Sequence, residues 1–333
     1  MLQCASRGGA SIWRIFEALE NQNLELPLLE DIAAHANEVS RKAGDILLDY
    51  FNRPLEIQFK GKGKTDPVTV ADGRSEAYVK AAILERYPRH SIVSEEAGAL
   101  GDSDSPFVWV VDPLDGTANF MNGLPFFAVS IGVLWKGEPV AGSVFVPVSH
   151  KGTPGVYHAR LGNGAYLDKE RIETERAQTG RPLSAMPPGG SFRLSGQSGR
   201  TPHEVRNTGS IAVELVLTAS GVFQYAMFGR PRIWDVAAGV LLVKEAGGEV
   251  FSQQPNKREW LPLERFEPRR NNDQTMLEQL LKWSGPVVVS GRHTAAGVVK
   301  DLRGPRFPLW TKALWWHSRS EGRTRNNGKS LLM

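Results

Sequence analysis

Two aspartates stand three residues apart at the end of an apolar run, in the segment Trp-Val-Val-Asp-Pro-Leu-Asp-Gly-Thr-Ala-Asn-Phe at residues 109–120. The carboxylate oxygens of Asp112 and Asp115 are ligands that suit a hard divalent cation. Gly116 and Thr117 follow where a helix is predicted to begin, and free backbone N–H groups at a helix start favour a phosphate. A metal and a phosphate at one corner indicate phosphoryl chemistry.

Other acidic residues stand beside turn or helix-start signals, namely Asp66, Asp72, Glu95 and Asp235. Asp235 opens an apolar helix, where a carboxylate is favoured by the helix dipole. Taken alone, this stabilising role is the simpler interpretation of Asp235. Asp66 either caps the helix that follows it or orients the lysine-rich loop at 60–65, and we favour the cap.

The elements that must position these residues can be read from apolar periodicity. Helices are predicted at 28–50, 70–87, 211–219 and 234–246. Strands are predicted at 55–59, 92–94, 107–111, 127–135, 140–146, 156–159, 164–167, 222–228 and 286–289. Residues 180–202 are rich in Pro, Gly and Ser and are expected to be a linker. This mixture of helices, strands and hairpins predicts a layered α/β (mixed α+β) fold rather than a doubly wound sheet.

A chain of 333 residues is long for one hydrophobic core, so two subdomains are expected. We predict a variable leader at 1–27, an N-terminal α+β subdomain with the metal and phosphate motif at 28–150, and a C-terminal α/β subdomain at 151–302. Residues 303–333 form a basic, Trp-containing tail. The tail is expected to be disordered, although it could bind a membrane surface or an acidic partner.

The net charge of +4 is concentrated at one end of the sequence. Residues 301–333 hold seven Lys and Arg and two acidic residues, whereas residues 1–300 hold 33 basic and 34 acidic residues. This distribution argues against a nucleic-acid surface spread over the fold. No apolar run is long enough to span a membrane, no signal peptide is evident, and Cys4 is the only cysteine. We therefore expect a cytoplasmic protein with neither nucleic acid nor membrane as a partner.

The motifs at 66–72, 94–96, 109–120, 234–239 and 245–248 together resemble the inositol monophosphatase family of magnesium-dependent phosphatases. The resemblance covers about residues 28–302, and the twelve-residue segment at 109–120 is its most specific part. It implies a layered αβαβα sandwich, two or three Mg²⁺ ions in each site, and a homodimer.

The resemblance also implies roles for individual residues. The metal ions would be held by Glu95, Asp112, Asp115, Asp235 and the carbonyl of Leu114. The catalytic residues would be Asp72, Thr117 and Glu95, with the Asp72 carboxylate orienting the Thr117 hydroxyl and that hydroxyl orienting a water. The phosphate and substrate would contact Leu114, Asp115, Gly116, Thr117, Gly209, Ser210 and Asp235. Ser210 also has the character of a helix N-cap, and the two roles are compatible.

The sequence departs from the family pattern at two places. Ser94 stands where many relatives have Gly, a change expected to alter only a turn. Phe228 or Gly229 stands where relatives acting on inositol phosphates often have an acidic residue, which argues against inositol as the preferred substrate. Nearby, Arg230 and Arg232 either contact an anionic substrate or are solvated loop charges, and we favour the second interpretation.

The leading hypothesis is hydrolysis of a small phosphate monoester, such as an inositol monophosphate or a sugar phosphate, by a metal-activated water. Histidinol phosphate or a nucleotide 3′-phosphate are alternative substrates on the same scaffold. A non-catalytic binding or regulatory module is an alternative of another class, and it is disfavoured because every expected carboxylate and Thr117 are present. A nucleic-acid or membrane binder acting through the tail would show salt-dependent binding that disappears without residues 303–333.

Overall fold

The computed structural model describes residues 24–51, 53, 57–60, 66–175, 181–187, 193–194, 204–253, 259–266, 275–292, 298 and 302–303. Residues 1–23 of the predicted leader, residues 61–65 of the lysine-rich loop and the tail beyond residue 303 therefore lie outside the described residues. Six helices are described: α1 (Leu26–Tyr50), α2 (Val70–Arg86), α3 (Thr117–Met121), α4 (Ile211–Ala219), α5 (Ile233–Glu245) and α6 (Met276–Leu281).

The strands of the first half of the chain are β1 (Ile57–Lys60), β2 (Asp66–Thr69), β3 (Ser91–Ser94), β4 (Gly98–Leu100), β5 (Phe107–Asp115), β6 (Ala128–Trp135), β7 (Glu138–Val146), β8 (Gly155–Arg160), β9 (Gly164–Leu167) and β10 (Glu170–Ile172). Those of the second half are β11 (Leu183–Ala185), β12 (Arg193–Leu194), β13 (Glu204–Arg206), β14 (Phe223–Phe228), β15 (Gly248–Gln253), β16 (Trp260–Pro262), β17 (Val287–Gly291) and β18 (Leu302–Arg303).

Two large sheets form the frame of the molecule. The first has the order β10-β9-β8-β7-β6-β5-β3-β4 and the second the order β13-β11-β14-β17-β15-β16, while β1-β2 and β12-β18 are separate pairs. Among the described strands of the first sheet, only β3 and β5 pair in parallel, and this places the ends of both strands at one edge. In the second sheet β11 is parallel to β13 and to β14, and the other pairs are antiparallel.

The helices lie in layers on these sheets. Helices α1 and α2 cover one face of the first sheet and bury a core that includes Ile32, Leu47, Ile83 and Trp109. Helices α4 and α5 lie between the two sheets in a second, larger core. On the far face of the second sheet Tyr225, Met227, Val288 and Val298 pack together. The mixed α/β fold with layered helices and sheets is thus confirmed.

Helix α5 lies very close to the first sheet, and two glycines allow this approach. A Cβ at Gly132 of β6 would be 2.8 Å from the Cβ of Ala237, and one at Gly142 of β7 would be 2.8 Å from the carbonyl oxygen of Ala238. Any larger residue would force the helix away from the sheet. These contacts set the position of the α5 N-terminus, which carries Asp235, relative to the ends of β3 and β5.

The predicted helices and most predicted strands are confirmed within one to four residues at each end. The linker expected at 180–202 is wrong in part, because Leu183–Ala185 pairs between β13 and β14 inside the second sheet. The predicted subdomain boundary at 150 falls inside the first sheet, which continues through β8, β9 and β10 to Ile172. Within the described part of the chain, no helix combines the length and apolar character required to cross a membrane.

Candidate active site

The segment that carries Asp112 and Asp115 makes a tight turn within the irregular end of strand β5. Strand β5 pairs with β6 through Asp112, and the pairing is irregular from there to Asp115. The backbone N–H of Leu114 donates to Asp112 Oδ1 at 3.0 Å, and the Thr117 hydroxyl donates to the Leu114 carbonyl at 3.1 Å. These two bonds close the turn and fix the direction of the carbonyl expected to bind a metal.

Gly116 links this turn to helix α3 in a conformation that a side chain would obstruct. Its φ of +90° lies in the left-handed region, and an added Cβ would be 2.8 Å from the Phe126 carbonyl oxygen and 3.2 Å from the Ser210 Cβ. The backbone at this point is therefore both unusual in conformation and closely packed. Glycine is required here for Thr117 to begin α3 where the sequence predicts.

Four predicted metal ligands, from three separate parts of the chain, influence one another's charge. Burial, followed by the negative charges of Glu95, Asp115 and Asp235, raises the pKa of Asp112 well above its ordinary value. Burial and the charges of Asp115 and Glu95 raise the pKa of Asp235 to about 8. Asp112 is 1% exposed, whereas the other three are partly exposed. Long-range folding therefore brings the four carboxyl groups into one region.

The charge and donor type of these carboxyl groups fit Mg²⁺, which binds oxygen ligands. In the portion of the chain described here, no three His, Cys, Asp or Glu side chains have the arrangement needed to hold a metal ion. Carboxylates that repel each other are expected to move inward only when a cation compensates their charge. The carboxyl groups therefore match Mg²⁺ in charge and donor type, and they would have to move closer together to bind an ion.

Asp115 connects the first sheet to helix α4. Its Oδ2 accepts a hydrogen bond from Ser210 Oγ at 2.7 Å and another from the Ala212 backbone N–H at 2.6 Å. These donors moderate the effect of burial, which raises the pKa of Asp115 to about 6. Ser210 Oγ also accepts from the Val213 N–H at 3.2 Å, so the predicted N-cap is confirmed.

Asn119 makes a second connection between the same two regions. Its Nδ2 donates to the Phe126 carbonyl at 2.6 Å and to the Thr208 carbonyl at 2.7 Å. Gly209, with φ of +80°, lies against this amide, and an added Cβ would be 3.1 Å from it. The predicted substrate-side residues Gly209 and Ser210 are thus held beside the phosphate motif.

Asp235 has the helix-stabilising role that the sequence suggested, and its role as a metal ligand stays a prediction. Its Oδ2 accepts from the Arg232 backbone N–H at 2.7 Å, so it stabilises the first turn of α5. Because a carboxylate has two oxygens, this bond is compatible with a place in the group that includes Asp112. Arg232 and Arg230 are exposed on the loop before α5, and the Arg232 guanidinium lies 6.0 Å from the centre of the Trp234 ring.

The predicted Asp72–Thr117 pair stays a prediction. Asp72 is 2% exposed in the first turn of α2. The single hydroxyl proton of Thr117 is donated to the Leu114 carbonyl, so a bond from that proton to Asp72 would require the hydroxyl to rotate. Asp66 is the first residue of strand β2, and its role as a cap stays a prediction.

The sequence interpretation missed three polar residues that contact these segments. Ser75 Oγ donates to the Pro113 carbonyl at 2.9 Å, and the buried Glu76 accepts from Ser94 Oγ at 2.9 Å. The backbone N–H of Thr208 donates to Glu214 at 2.7 Å, and burial raises the pKa of Glu214 to about 7. A signal existed for the first two, because positions three and four after Asp72 lie on the same helical face.

Comparison with known proteins identifies the family. The sequence profile described as the inositol monophosphatase family matches residues 28–303. The chain belongs to the inositol monophosphatase family. It is an enzyme of the phosphatase class, and the resemblance drawn from the motifs is confirmed.

Individual relatives agree with this assignment. The chain is 36% identical over 230 residues to the Nus factor SuhB of Haemophilus influenzae, covering 65% of this chain and 82% of the relative. It is 35% identical over 219 residues to the fructose-1,6-bisphosphatase/inositol-1-monophosphatase of Aquifex aeolicus, covering 62% and 79%. The structure of the inositol monophosphatase from Anabaena matches with a TM-score of 0.59 and 26% identity, over 82% of this chain and 95% of the other.

Proposed function

We propose that the chain hydrolyses a small phosphate monoester in a Mg²⁺-dependent reaction at the end of β5. The observation that carries this proposal is the mutual electrostatic influence of Glu95, Asp112, Asp115 and Asp235 in one region. Such a group of acids does not stabilise a fold, because like charges in a poorly solvated region repel each other. Function is the better explanation for their common position.

In this proposal the metal ligands are Glu95, Asp112, Asp115, Asp235 and the Leu114 carbonyl oxygen, for two or three ions. When bound, magnesium supplies Lewis-acid chemistry that neutralises charge on the phosphoryl group and makes water more acidic. The carboxylates would determine where the positive charge of the metal lies. The turn closed by the hydrogen bonds of Leu114 and Thr117 would keep the Leu114 carbonyl directed at the metal site.

Other residues would bind the substrate and orient water. The backbone N–H groups of Gly116 and Thr117, at the start of α3, would hold phosphate oxygens. Thr117 and Asp72 would orient the attacking water after the Thr117 hydroxyl turns away from Leu114. Gly209 and Ser210 would border the rest of the substrate, because Ser210 is bonded to Asp115.

For the substrate class we propose a sugar phosphate or an inositol monophosphate, and we favour a sugar phosphate. Phe228 is 4% exposed in the core between the sheets, so this position offers the substrate no polar group. The Aquifex aeolicus relative is named for both a fructose bisphosphate and an inositol monophosphate substrate. A panel containing both kinds of ester is therefore the appropriate test.

The experiment is phosphate release from such a panel, with Mg²⁺ and then with a chelator. We expect turnover that requires Mg²⁺ and is abolished in Asp112→Asn, a variant that keeps nearly the same shape. Asp104→Asn, which changes an exposed aspartate on the loop before β5, is the matched control and should remain active. Turnover unaffected by chelation, or an active Asp112→Asn enzyme, would refute the proposal.

A homodimer and a cytoplasmic location complete the proposal. The homodimer is suggested by the family resemblance, and the location by the single cysteine. Light scattering coupled to gel filtration tests the first, since a dimer doubles the measured mass.

A further inference from the structure

Glu76 is a buried carboxylate to which the proposed reaction assigns no role. It lies on α2 with 5% of its surface exposed, and its Oε2 accepts a hydrogen bond from Ser94 Oγ at 2.9 Å. Its Oε1 has no hydrogen-bond partner among the described residues. Because a buried carboxylate with few donors is costly to a fold, its presence at this place calls for an explanation.

The loop that carries Glu95 begins immediately after Ser94, the residue that donates to Glu76. Ser94 of β3 pairs with Gly98 of β4, so residues 95–97 form a three-residue connection between the two strands. The backbone N–H of Glu95 donates to the Val111 carbonyl at 3.2 Å, which joins the start of this loop to β5. Ser94 is completely buried at the same point.

Glu76 contacts the residue at which this loop begins. Burial raises the pKa of Glu76, while the hydrogen bond from the Ser94 hydroxyl favours its charged form. Ser94 immediately precedes the loop. The direction in which the loop presents Glu95 therefore depends on contacts made by a side chain of α2.

The neighbouring residue on α2 has a similar relation to the other acidic segment. Ser75 Oγ donates to the carbonyl of Pro113, the residue between Asp112 and Leu114, at 2.9 Å. Ser75 is completely buried. One turn of α2 thus contacts both segments that carry the carboxylates of β3 and β5.

We propose that Glu76 and Ser94 form a positioning pair, in which the Ser94–Glu76 hydrogen bond fixes the 95–97 loop so that Glu95 is directed at the metal site. This inference rests on the proposed function. Residues that orient metal ligands commonly change metal affinity ten- to a hundredfold when they are mutated. Ser94 supplies the hydroxyl of this bond, which a glycine at the same position would lack.

The test compares two buried serines of the same strand. Ser94→Ala removes the bond to Glu76, whereas Ser91→Ala removes the bond from Ser91 Oγ to the Asp102 carbonyl, at the other end of the strand. Calorimetric titration of Mg²⁺ into the metal-free full-length protein measures affinity without reference to activity. We expect about tenfold weaker binding for Ser94→Ala and unchanged binding for Ser91→Ala.

Two substitutions at Glu76 separate positioning from charge. Glu76→Gln keeps an oxygen that can accept from Ser94, so we expect Mg²⁺ affinity within about threefold of the wild type. Glu76→Ala removes the acceptor and should resemble Ser94→Ala. Should Ser94→Ala fail to fold, Ser94→Gly takes its place, because glycine also removes the hydroxyl.

The outcomes distinguish this inference from the function on which it rests. Wild-type protein that binds no Mg²⁺ would overturn the proposed function and the inference together. Wild-type protein that binds Mg²⁺, with Ser94→Ala or its glycine replacement within twofold of Ser91→Ala, would overturn the inference alone. Weaker binding in Ser94→Ala and Glu76→Ala, with near-normal binding in Glu76→Gln, would support it.

Discussion

Replacing Ser210 by alanine should measure how strongly Asp115 is bound to helix α4. The hydroxyl is 1% exposed, donates to Asp115 at 2.7 Å, and accepts from the Val213 N–H as the N-cap of α4. A hydrogen bond to a charged group contributes about 1.5–3 kcal/mol, and loss of an N-cap costs about 1 kcal/mol. Because the two effects share one atom, we expect about 3 kcal/mol in total rather than their full sum.

The cap contribution can be measured separately in the same protein. Thr275 caps α6 by accepting from the Glu278 N–H at 3.3 Å, and among the described residues its hydroxyl donates to no carboxylate. Thr275→Ala should therefore cost only about 1 kcal/mol. Urea unfolding at pH 8 without metal gives both values, since Asp115, with a pKa of about 6, is charged there. The difference between the two variants is the expected contribution of the Asp115 bond.

A double-mutant cycle then tests whether the bond itself is responsible. Ser210→Ala, Asp115→Asn and the double variant should give a coupling free energy of about 1–2 kcal/mol, because each single change already removes the charged hydrogen bond. Asp115→Asn also relieves the repulsion between Asp115 and Asp112. This contribution cancels in the cycle, because it is also present in the double variant. A coupling below about 0.5 kcal/mol would refute the reasoning, and would mean that Ser210 acts only as a helix cap.

Three further changes have expected outcomes. Gly116→Ala should destabilise the protein by at least 2 kcal/mol in urea unfolding, because the φ is +90° and the added Cβ would be 2.8 Å from the Phe126 carbonyl oxygen. Burial lowers the pKa of His90 to about 4, and the neutral ring accepts a hydrogen bond from Trp109 Nε1. Because the folded protein favours this neutral form, stability is lost as pH falls from 6.5 towards 4. That loss is about 1–2 kcal/mol after allowance for the partial exposure of the ring, and it should be smaller in His90→Gln when melting is compared at pH 4.5 and pH 7. Glu245→Gln should cost about 1–3 kcal/mol by thermal unfolding, because its carboxylate accepts from two glycine N–H groups at 2.8 Å; an unchanged melting temperature would contradict this.

The phosphate motif was predictable because its signals are local. An apolar run followed by Asp-Pro-Leu-Asp-Gly-Thr specifies a strand, a turn and a helix start within a few residues. Strand β5 extends to Asp115, beyond the predicted end at residue 111, because the turn residues continue to pair with β6 across a register shift. The approximate bounds of α1, α2, α4 and α5 were predictable for the same reason, since each helix has its own apolar periodicity.

What the sequence could not supply is pairing over long distances. Nothing in residues 155–172 distinguishes strands that extend the first sheet from strands that start a new subdomain, so the predicted boundary at 150 fell inside a sheet. Leu183–Ala185 is three residues long within a segment rich in loop-forming residues, and its place between β13 and β14 depends on those partners. Short strands depend on tertiary context more than on their own composition.

The position of Asp235 shows how local and long-range determinants combine at one residue. Its bond to the Arg232 N–H is local and could be predicted from the helix start alone. Its proximity to Glu95 and Asp115 follows from α5 packing against β6 and β7, where Gly132 and Gly142 allow the helix to approach. A larger residue at either glycine should therefore shift the carboxylate away from the other acids while leaving the bond to the Arg232 N–H formed. The arrangement of the acidic group is thus determined partly by glycines on strands that contribute no carboxylate to it.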